Sequence, residues 1–412
     1  MSFIFPLRPA HAQENGTQPY DLLPYDVGRQ LPGVPTQRPP GTGIEQGSYL
    51  ILPRLDLTEE FNSNVYATRQ NVRSDFVHVI DPSVDAYSRL TQSALNFHAD
   101  LDQGVYTTHA SEDYTDYRLA MDGYVDVREG TRLYFTTSLN RGHFDRGSPD
   151  DAHGLTPPFY DTRYGEMRLE QAFNRVTAEV GLQAHNYEYE HVPVVGGFID
   201  TDHQDRTAYA VSLKIGYALV PDAYSIFVRG SYLYTDYRLL TAQNQNLDSN
   251  TYQIVLGTEA KLIRLLTGEA YVGLVHQQYE SAAFKSYSGP TFGVTLTWAP
   301  TLLTVVRLSA DRTIEDTDFN SQSGYFQNAV AVAIDHELRH SVMLHAGFFY
   351  ADRDYRGIDS HEQVYQGTLG ARYEVNRYLY IGPVISYTQR HSNIFENNFS
   401  QFLGAIRLTG QL

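Results

Sequence analysis

Asp116-Tyr117-Arg118-Leu119-Ala120-Met121-Asp122-Gly123-Tyr124-Val125-Asp126-Val127 is the stretch whose reading decides the fold. On an extended chain Tyr117, Leu119, Met121, Gly123, Val125 and Val127 fall on one side, and Asp116, Arg118, Ala120, Asp122, Tyr124 and Asp126 on the other. That is the period of two expected of a strand. The first face suits hydrocarbon. The second carries carboxylates and an arginine, which a dry protein core would have to strip of water and which a wet lumen leaves solvated. The stretch therefore predicts a wall with lipid on one side and water on the other.

The pattern recurs in both directions. Leu95, Phe97, Ala99 and Leu101 alternate with Asn96, His98, Asp100 and Asp102. Val176, Ala178, Val180 and Leu182 alternate with Thr177, Glu179 and Gln183, and Tyr209, Val211, Leu213, Ile215 and Tyr217 with Ala208, Ser212, Lys214 and Gly216. Phe292, Val294, Leu296 and Trp298 alternate with threonines and glycine, and Val330, Val332 and Ile334 with small residues and Asp335. Roughly 18 such segments (16 to 20) occupy residues 48–412, an even number as in bacterial single-chain barrels. The fold class expected is all-β: a transmembrane antiparallel up-and-down β-barrel with a disordered N-terminal tail.

The connections sort by length, as they do in outer-membrane barrels. Short links read as Val127-Arg128-Glu129-Gly130, Phe173-Asn174-Arg175, Val220-Pro221-Asp222-Ala223, Leu266-Thr267-Gly268, Ala299-Pro300-Thr301, Arg339-His340-Ser341 and Val375-Asn376-Arg377. Between them lie long polar stretches, Arg141 to Tyr164, Glu188 to Asp205, Asp236 to Asn250, Asp311 to Gly324 and Arg353 to Glu362. A soluble sandwich has no reason for this sorting. Trp298 and Tyr217 fall near short links, where a periplasmic aromatic girdle would lie; Tyr187, Tyr234, Tyr279 and Tyr350 approach long loops and are expected in the outer girdle.

Composition agrees. The 412 residues hold 32 Tyr against one Trp and no Cys, and carry a formal net charge of -17. Tyr enrichment fits interfacial rings; the lack of Cys excludes disulfides and thiolate metal sites. Without clustered Lys and Arg, nucleic acid is not an expected partner. No run approaches the roughly 20 apolar residues of a membrane helix. At the start, Phe3 to Leu7 precedes Ala10-His11-Ala12, an A-x-A site of the kind signal peptidase cuts, so residues 1–12 read as the remnant of a signal peptide. Residues 13–47, rich in Pro and Gly, read as a periplasmic or lumen-inserted tail. The last strand, with Phe402, Gly404, Ile406, Leu408, Gly410 and Leu412 on one face, resembles the signal read by the barrel-assembly machinery, with Leu in the usual place of Phe.

Gly47-Ser48-Tyr49-Leu50 with Pro53, then Glu60-Phe61-Asn62-Ser63-Asn64-Val65-Tyr66-Ala67-Thr68, resemble the opening strand and Asn-Val-Tyr/Phe turn of the β-barrel porin 2 family of outer-membrane proteins. Ser74-Asp75-Phe76 with Pro82 resembles its second strand, and Tyr114 to Gly123 its fourth. Members are often associated with exopolysaccharide loci. The resemblance thus implies an outer-membrane conduit for export or passage of polysaccharide or oligosaccharide, with outer-membrane lipid, lipopolysaccharide and a periplasmic polysaccharide-export protein as partners. The alternative is a structural or receptor barrel with a filled lumen, whose extracellular loops bind a partner.

The water-facing side offers Asp116, Arg118, Asp122, Glu179, Lys214, Arg229, Glu259, Lys261, Arg307, Glu337, Arg339, Arg372, Glu374 and Arg407 as pore-lining charges. They can brace the wall as ion pairs or set a field for passing solute. Tyr124, Tyr134 and Tyr271, with His98 and His185, offer rings on which sugars could stack or bulk that fills the lumen. The loop from His143 to His153 holds acids and imidazoles, but its spacing matches neither an EF-hand nor a zinc motif. No G-x-S-x-G or H-E-x-x-H occurs, Ser138 and His345 can be nominated only by choice, and no catalytic residue, cofactor or metal is expected.

Overall fold

The computed structural model describes residues 43–149, 151–240, 244–262, 266–315 and 324–412. The expected signal-peptide remnant and most of the tail lie outside them. The strands are β1 (Ile44–Gln46), β2 (Tyr49–Asn62), β3 (Asp75–Ser88), β4 (Ser93–Tyr106), β5 (Tyr114–Arg128), β6 (Thr131–His143), β7 (Phe159–Phe173) and β8 (Val176–Tyr189). A small hairpin of β9 (Val192–Val194) and β10 (Gly197–Ile199) follows. Then come β11 (Arg206–Val220), β12 (Tyr224–Tyr237), β13 (Ser249–Leu262), β14 (Leu266–Tyr279), β15 (Tyr287–Thr301) and β16 (Thr304–Glu315). The wall ends with β17 (Tyr325–Arg339), β18 (Val342–Tyr355), β19 (His361–Asn376), β20 (Leu379–Ser392) and β21 (Phe399–Gln411).

Apart from β1 and the β9–β10 hairpin, the described strands form one closed antiparallel cylinder of eighteen. Each pairs with its neighbour in sequence, and β21 returns to β2 in register from Arg54 opposite Gln411 to Asn62 opposite Leu403. An even count is what lets the last strand meet the first antiparallel. Pairing begins three residues inside the segment read as tail: Gly47 turns with φ +60°, and β1 folds back on Tyr49–Ile51.

The alternation holds in three dimensions. Leu182, Leu213, Leu256 and Ile406 are about half exposed on the outside, while Arg229, Asp335 and His345 are buried on the inside. No helix among the described residues is long and apolar enough to cross a membrane. The crossing is made by strands of 12 to 16 residues, longer than the roughly 9–11 a tilted strand needs, so the wall overhangs the bilayer.

Several expectations need correction. Leu266-Thr267-Gly268 is strand, not link, and residues 263–265, between β13 and β14 in sequence, lie outside the described residues. Gly268 serves close approach instead, since a Cβ there would stand 2.0 Å from the Thr295 carbonyl oxygen. Ala299-Pro300-Thr301 also belongs to strand, with Leu302-Leu303 making the turn; Pro300, which has no N–H to give, sits where the β15–β16 register slips. Val375 and Asn376 close β19, and Arg377-Tyr378 turns. Tyr187 and Tyr279 are buried, at 1% and 6% exposure. Their parity points them inward under the loops, so they leave the outer girdle to Tyr234, opposite the half-exposed Tyr209, and to Tyr350, 5.0 Å from Tyr365. Trp298 and Tyr217 do face outward near the periplasmic end.

Leu213 lies midway along β11 on the lipid face. Leu213→Arg should cost about 2–4 kcal/mol, read by equilibrium unfolding from phospholipid vesicles, whereas Ser212→Arg on the wet face should cost far less. Equal losses at both positions would contradict the assignment of faces.

Candidate pore and its extracellular cap

The pore-lining charges expected from the sequence alternate with lipid-exposed side chains and so line the inner wall. Arg339 is the exception, lying past a register slip after Glu337 and exposed at the periplasmic rim. Most are engaged with one another. Lys214 sits between Glu259, with which it makes a close ion pair, and Glu269 at 3.0 Å. Arg229 reaches the same Glu269 at 3.1 Å, and Lys261 lies 3.6 Å from Glu259. Glu259 and Glu269 stand directly opposite each other on β13 and β14. Two like charges there would repel; two cations from β11 and β12 turn the repulsion into a braced cluster. Arg168 lies 3.9 Å from Glu179, and Arg307 lies 2.6 Å from Asp335, whose other oxygen meets His345 at 2.8 Å.

The wall from β2 to β5 is different, because acids outnumber bases. Asp56, Glu60, Asp81, Asp85, Asp100, Asp102, Asp116 and Asp122 all point inward there. Asp122 accepts from Asn96 at 3.0 Å and meets His98, whose second nitrogen meets Asp85. Asp116 meets His143 at 2.8 Å. Arg407 donates to Thr58 at 3.2 Å. Arg118, exposed and opposite Asp100, makes no ion pair among the described residues. Farther round, Glu337 lies 3.7 Å from His340 and the Arg372 guanidinium 5.3 Å from the Tyr380 ring, while Glu374 closes the inner face of β19 near the periplasm.

The aromatic positions are less open than the sequence suggests. Tyr271 lies over Gly293 on the facing strand, where a Cβ would meet the ring at 2.4 Å, and the Arg229 guanidinium stands 4.9 Å from it. Tyr134 is 7% exposed, with Arg168 5.0 Å away. Tyr124 keeps more of its surface, under Arg132 at 4.2 Å. His98 is held by its two acids, and His185 packs on Tyr187 with ring centroids 3.9 Å apart.

The extracellular loops form a connected cap. Residues 144–158, joining β6 to β7, are anchored by Arg146. Its guanidinium grips Glu112 of the β4–β5 loop bidentately at 2.7 and 2.8 Å, Asp151 at 3.0 Å and the Gly154 carbonyl at 3.0 Å. The tip reaches six strands round the wall: Arg390 on β20 donates to the Gly147 carbonyl at 2.6 Å, and Gly147, at φ +84°, is pressed against Ala67 and Phe399. Leu155 donates its N–H to Pro193 of the β9–β10 hairpin, and Phe144 packs with Tyr160, Tyr187 and Tyr189. The loop thus spans the mouth above the acidic wall. Burial pushes the Asp151 carboxyl up, but the His153 hydrogen bond and the Arg146 charge outweigh it and hold the group below its ordinary value.

The sequence pointed to this loop but not to its partner, since Glu112 carries no local signal for an arginine 34 residues away. Asn64, in the opening turn, is 1% exposed and donates to the carbonyls of Thr68 and Ser400, tying the turn to β21. Asp75 accepts from the N–H groups of Thr108 and His109, tying the next loop to β3. His191, Asp200 and Asp202 bring one ligand atom each within 4.8 Å of one another on an exposed loop, a juxtaposition that their spacing in the sequence does not signal.

Among solved structures the chain is similar to OpdO of Pseudomonas aeruginosa, at 12% identity and a TM-score of 0.44, covering 89% of this chain and 97% of that one. It is also similar to OccAB4 of Acinetobacter baumannii, at 11% identity and a TM-score of 0.47, covering 91% and 100%. The siderophore receptor PirA of Acinetobacter baumannii shows 6% identity and a TM-score of 0.47, covering 87% and 80%. No curated protein matches the chain. A family model described as "Putative beta-barrel porin 2" matches residues 39–412, and the chain belongs to that family of porin-like outer-membrane β-barrels.

Proposed function

We propose that this barrel is a gated conduit for oligosaccharide or polysaccharide, with the loop of residues 144–158 as the gate. The observation that carries the reading is a wall of carboxylates, cations, hydroxyls and amides crossing the bilayer beneath a loop whose tip is held by only a few contacts on the far side. Such a lining offers sugar hydroxyls replacements for water along the whole path. The family's association with exopolysaccharide loci favours a glycan, and a periplasmic polysaccharide-export protein is the partner that this reading expects at the inner rim. A second reading, a receptor barrel whose extracellular loops bind a partner, is favoured by the same cap, since its loops hold one another as well as the wall.

No catalytic role is included. Ser138 and His345, the residues that could be nominated, sit on β6 and β18, eight strands apart around the wall, and His345 is already committed to Asp335.

The gate separates the readings. Arg146 is the only cation bound to both Glu112 and Asp151 among the described residues, and both acids are almost wholly buried. Removing the partner of a buried charge pair costs about 3–5 kcal/mol. Arg146→Ala should therefore release the loop, raising single-channel conductance in planar bilayers and admitting maltodextrins that the native protein excludes. A native protein and variant that are both silent, though folded and inserted, would favour the receptor reading.

The lock should also respond to acid in one direction. Asp151 has a lowered folded-state pKa, so its stabilising contribution is complete above the ordinary carboxylate value of about 3.9. It is lost as pH falls through the lower folded value. Loop cleavage by a protease active in acid should stay constant down to about pH 4 and rise below it.

A further inference from the structure

The long connection between β8 and β11 carries a two-stranded sheet of its own. β9 and β10 are three residues each, with Val192 opposite Ile199 and Val194 opposite Gly197, around a turn in which Gly196 takes φ +89°. Neither strand pairs with the wall. A hairpin so short is marginal in water by itself, and its tip is bare, with Val195 91% and Phe198 62% exposed. Yet the cap leans on it. Leu155 donates its N–H to the Pro193 carbonyl at 2.7 Å, and a Cβ on Gly154 would stand 2.1 Å from a Val192 methyl carbon.

The residues that open and close this hairpin come back together. His191 immediately precedes β9, Asp200 immediately follows β10, and Asp202 begins the short 3₁₀ turn Asp202–Gln204. Among the described residues they are the one group of three metal-ligating side chains whose ligand atoms all lie within 4.8 Å of one another. His191 Nδ1 stands 3.7 Å from Asp200, and Nε2 3.7 Å from Asp202. Those separations are too long for hydrogen bonds. They are close to the spacing of two ligands on one tetrahedral zinc, about 3.4 Å when each bond is roughly 2.0–2.2 Å. The loop orients all three: the Phe198 ring stacks on the imidazole with centroids 4.8 Å apart, and the Asp202 N–H donates to Asp200 at 3.0 Å. Neither acid is paired with Lys or Arg among the described residues. The one hydrogen bond to the ring among them is long, from the Thr201 N–H to Nδ1 at 3.4 Å, so a metal on that nitrogen would displace little.

We propose that His191, Asp200 and Asp202 form an extracellular binding site for a borderline divalent cation, of the Zn²⁺ class, that staples the base of the β9–β10 hairpin. One imidazole nitrogen with two carboxylate oxygens is a donor set that zinc accepts, whereas Ca²⁺ and Mg²⁺ take oxygen. Three protein ligands leave the fourth position to water. The chain has no Cys, so no thiolate competes for the ion. A metal clip that closes a loop stabilises it by restricting its open forms. Here it would fix the hairpin and with it Pro193, on which Leu155 of the cap rests.

Neither the binding nor its effect on the hairpin requires that the lumen conduct, so the site stands or falls separately from the conduit reading. Full-length, tag-free protein folded in detergent is freed of metal with EDTA, dialysed and titrated with ZnCl₂ by calorimetry. Chymotrypsin cleavage after Phe198 is followed by mass spectrometry with and without the ion. Native protein should bind Zn²⁺, and cleavage at Phe198 should slow when it does. His191→Ala and Asp200→Asn should each bind at least about tenfold more weakly, since even an outer-shell partner is worth about 10–100-fold in affinity, and both should lose the protection. His340→Ala, which removes a fully exposed imidazole at the periplasmic rim, should bind and be protected as native is. Retarded migration on unheated gels confirms that each variant is folded. No Zn²⁺ binding by native protein, native affinity in His191→Ala, cleavage at Phe198 that ignores the ion, or equal protection by CaCl₂ at the same concentration would each overturn the proposal.

Discussion

Everything in this molecule depends on the hydrogen bonds between β2 and β21. In hydrocarbon an unpaired N–H or C=O has no water to turn to, so an open sheet would pay for two bare edges across the full thickness of the bilayer. Closure removes both edges at once, in a register of nine residue pairs. It works because the strand count is even and because each wall strand from β2 to β21 keeps a period of two between lipid and lumen. A one-residue slip midway along a strand would turn a row of leucines toward water and a row of carboxylates toward lipid; the slips that occur lie at strand ends, beside the short turns.

Closure also creates the interior in which the charges make sense. A buried ion pair is weak evidence of stability in a dry core, where desolvation consumes most of its attraction. Inside a cylinder with water in reach the penalty falls, and pairs such as Lys214 with Glu259 and Glu269, or Arg307 with Asp335, can tie strands together across the lumen side while lipid packs on the other face. The acidic wall from β2 to β5 departs from that balance. Its partners are fewer, and it lies where the cap crosses.

The cap follows from the same economy of contacts. Long loops on one end of a barrel have no core of their own, and here they acquire one by packing together: Phe144 with Tyr160, Tyr187 and Tyr189, and Leu247 with Tyr279 and Phe284. Arg146 sits at the junction. Its guanidinium satisfies two buried carboxylates at once, while Arg390, Leu155 and Phe144 tie the rest of the loop to the far wall, the hairpin and the aromatic cluster.

The strands, their faces and the sorting of short turns from long loops were legible from the sequence, because a two-sided wall writes its environment into every second residue, as in Asp116 to Val127. Thirteen of the fourteen nominated charges line the inner wall on the same ground, and Arg339, past a register slip, does not. Residue type and nearness to loops misled where parity would not have: Gly268 and Pro300 looked like turn residues but serve close approach and a register slip, and Tyr187 and Tyr279 looked like girdle residues although their parity turns them inward. What only the tertiary structure decided is who meets whom. Arg146 with Glu112, Arg390 with the Gly147 carbonyl, and His143 of β6 with Asp116 of β5 depend on where the cylinder closes and how its loops fold over it. Periodicity is a local property of the chain, whereas such contacts are set by the curvature and register of the whole wall.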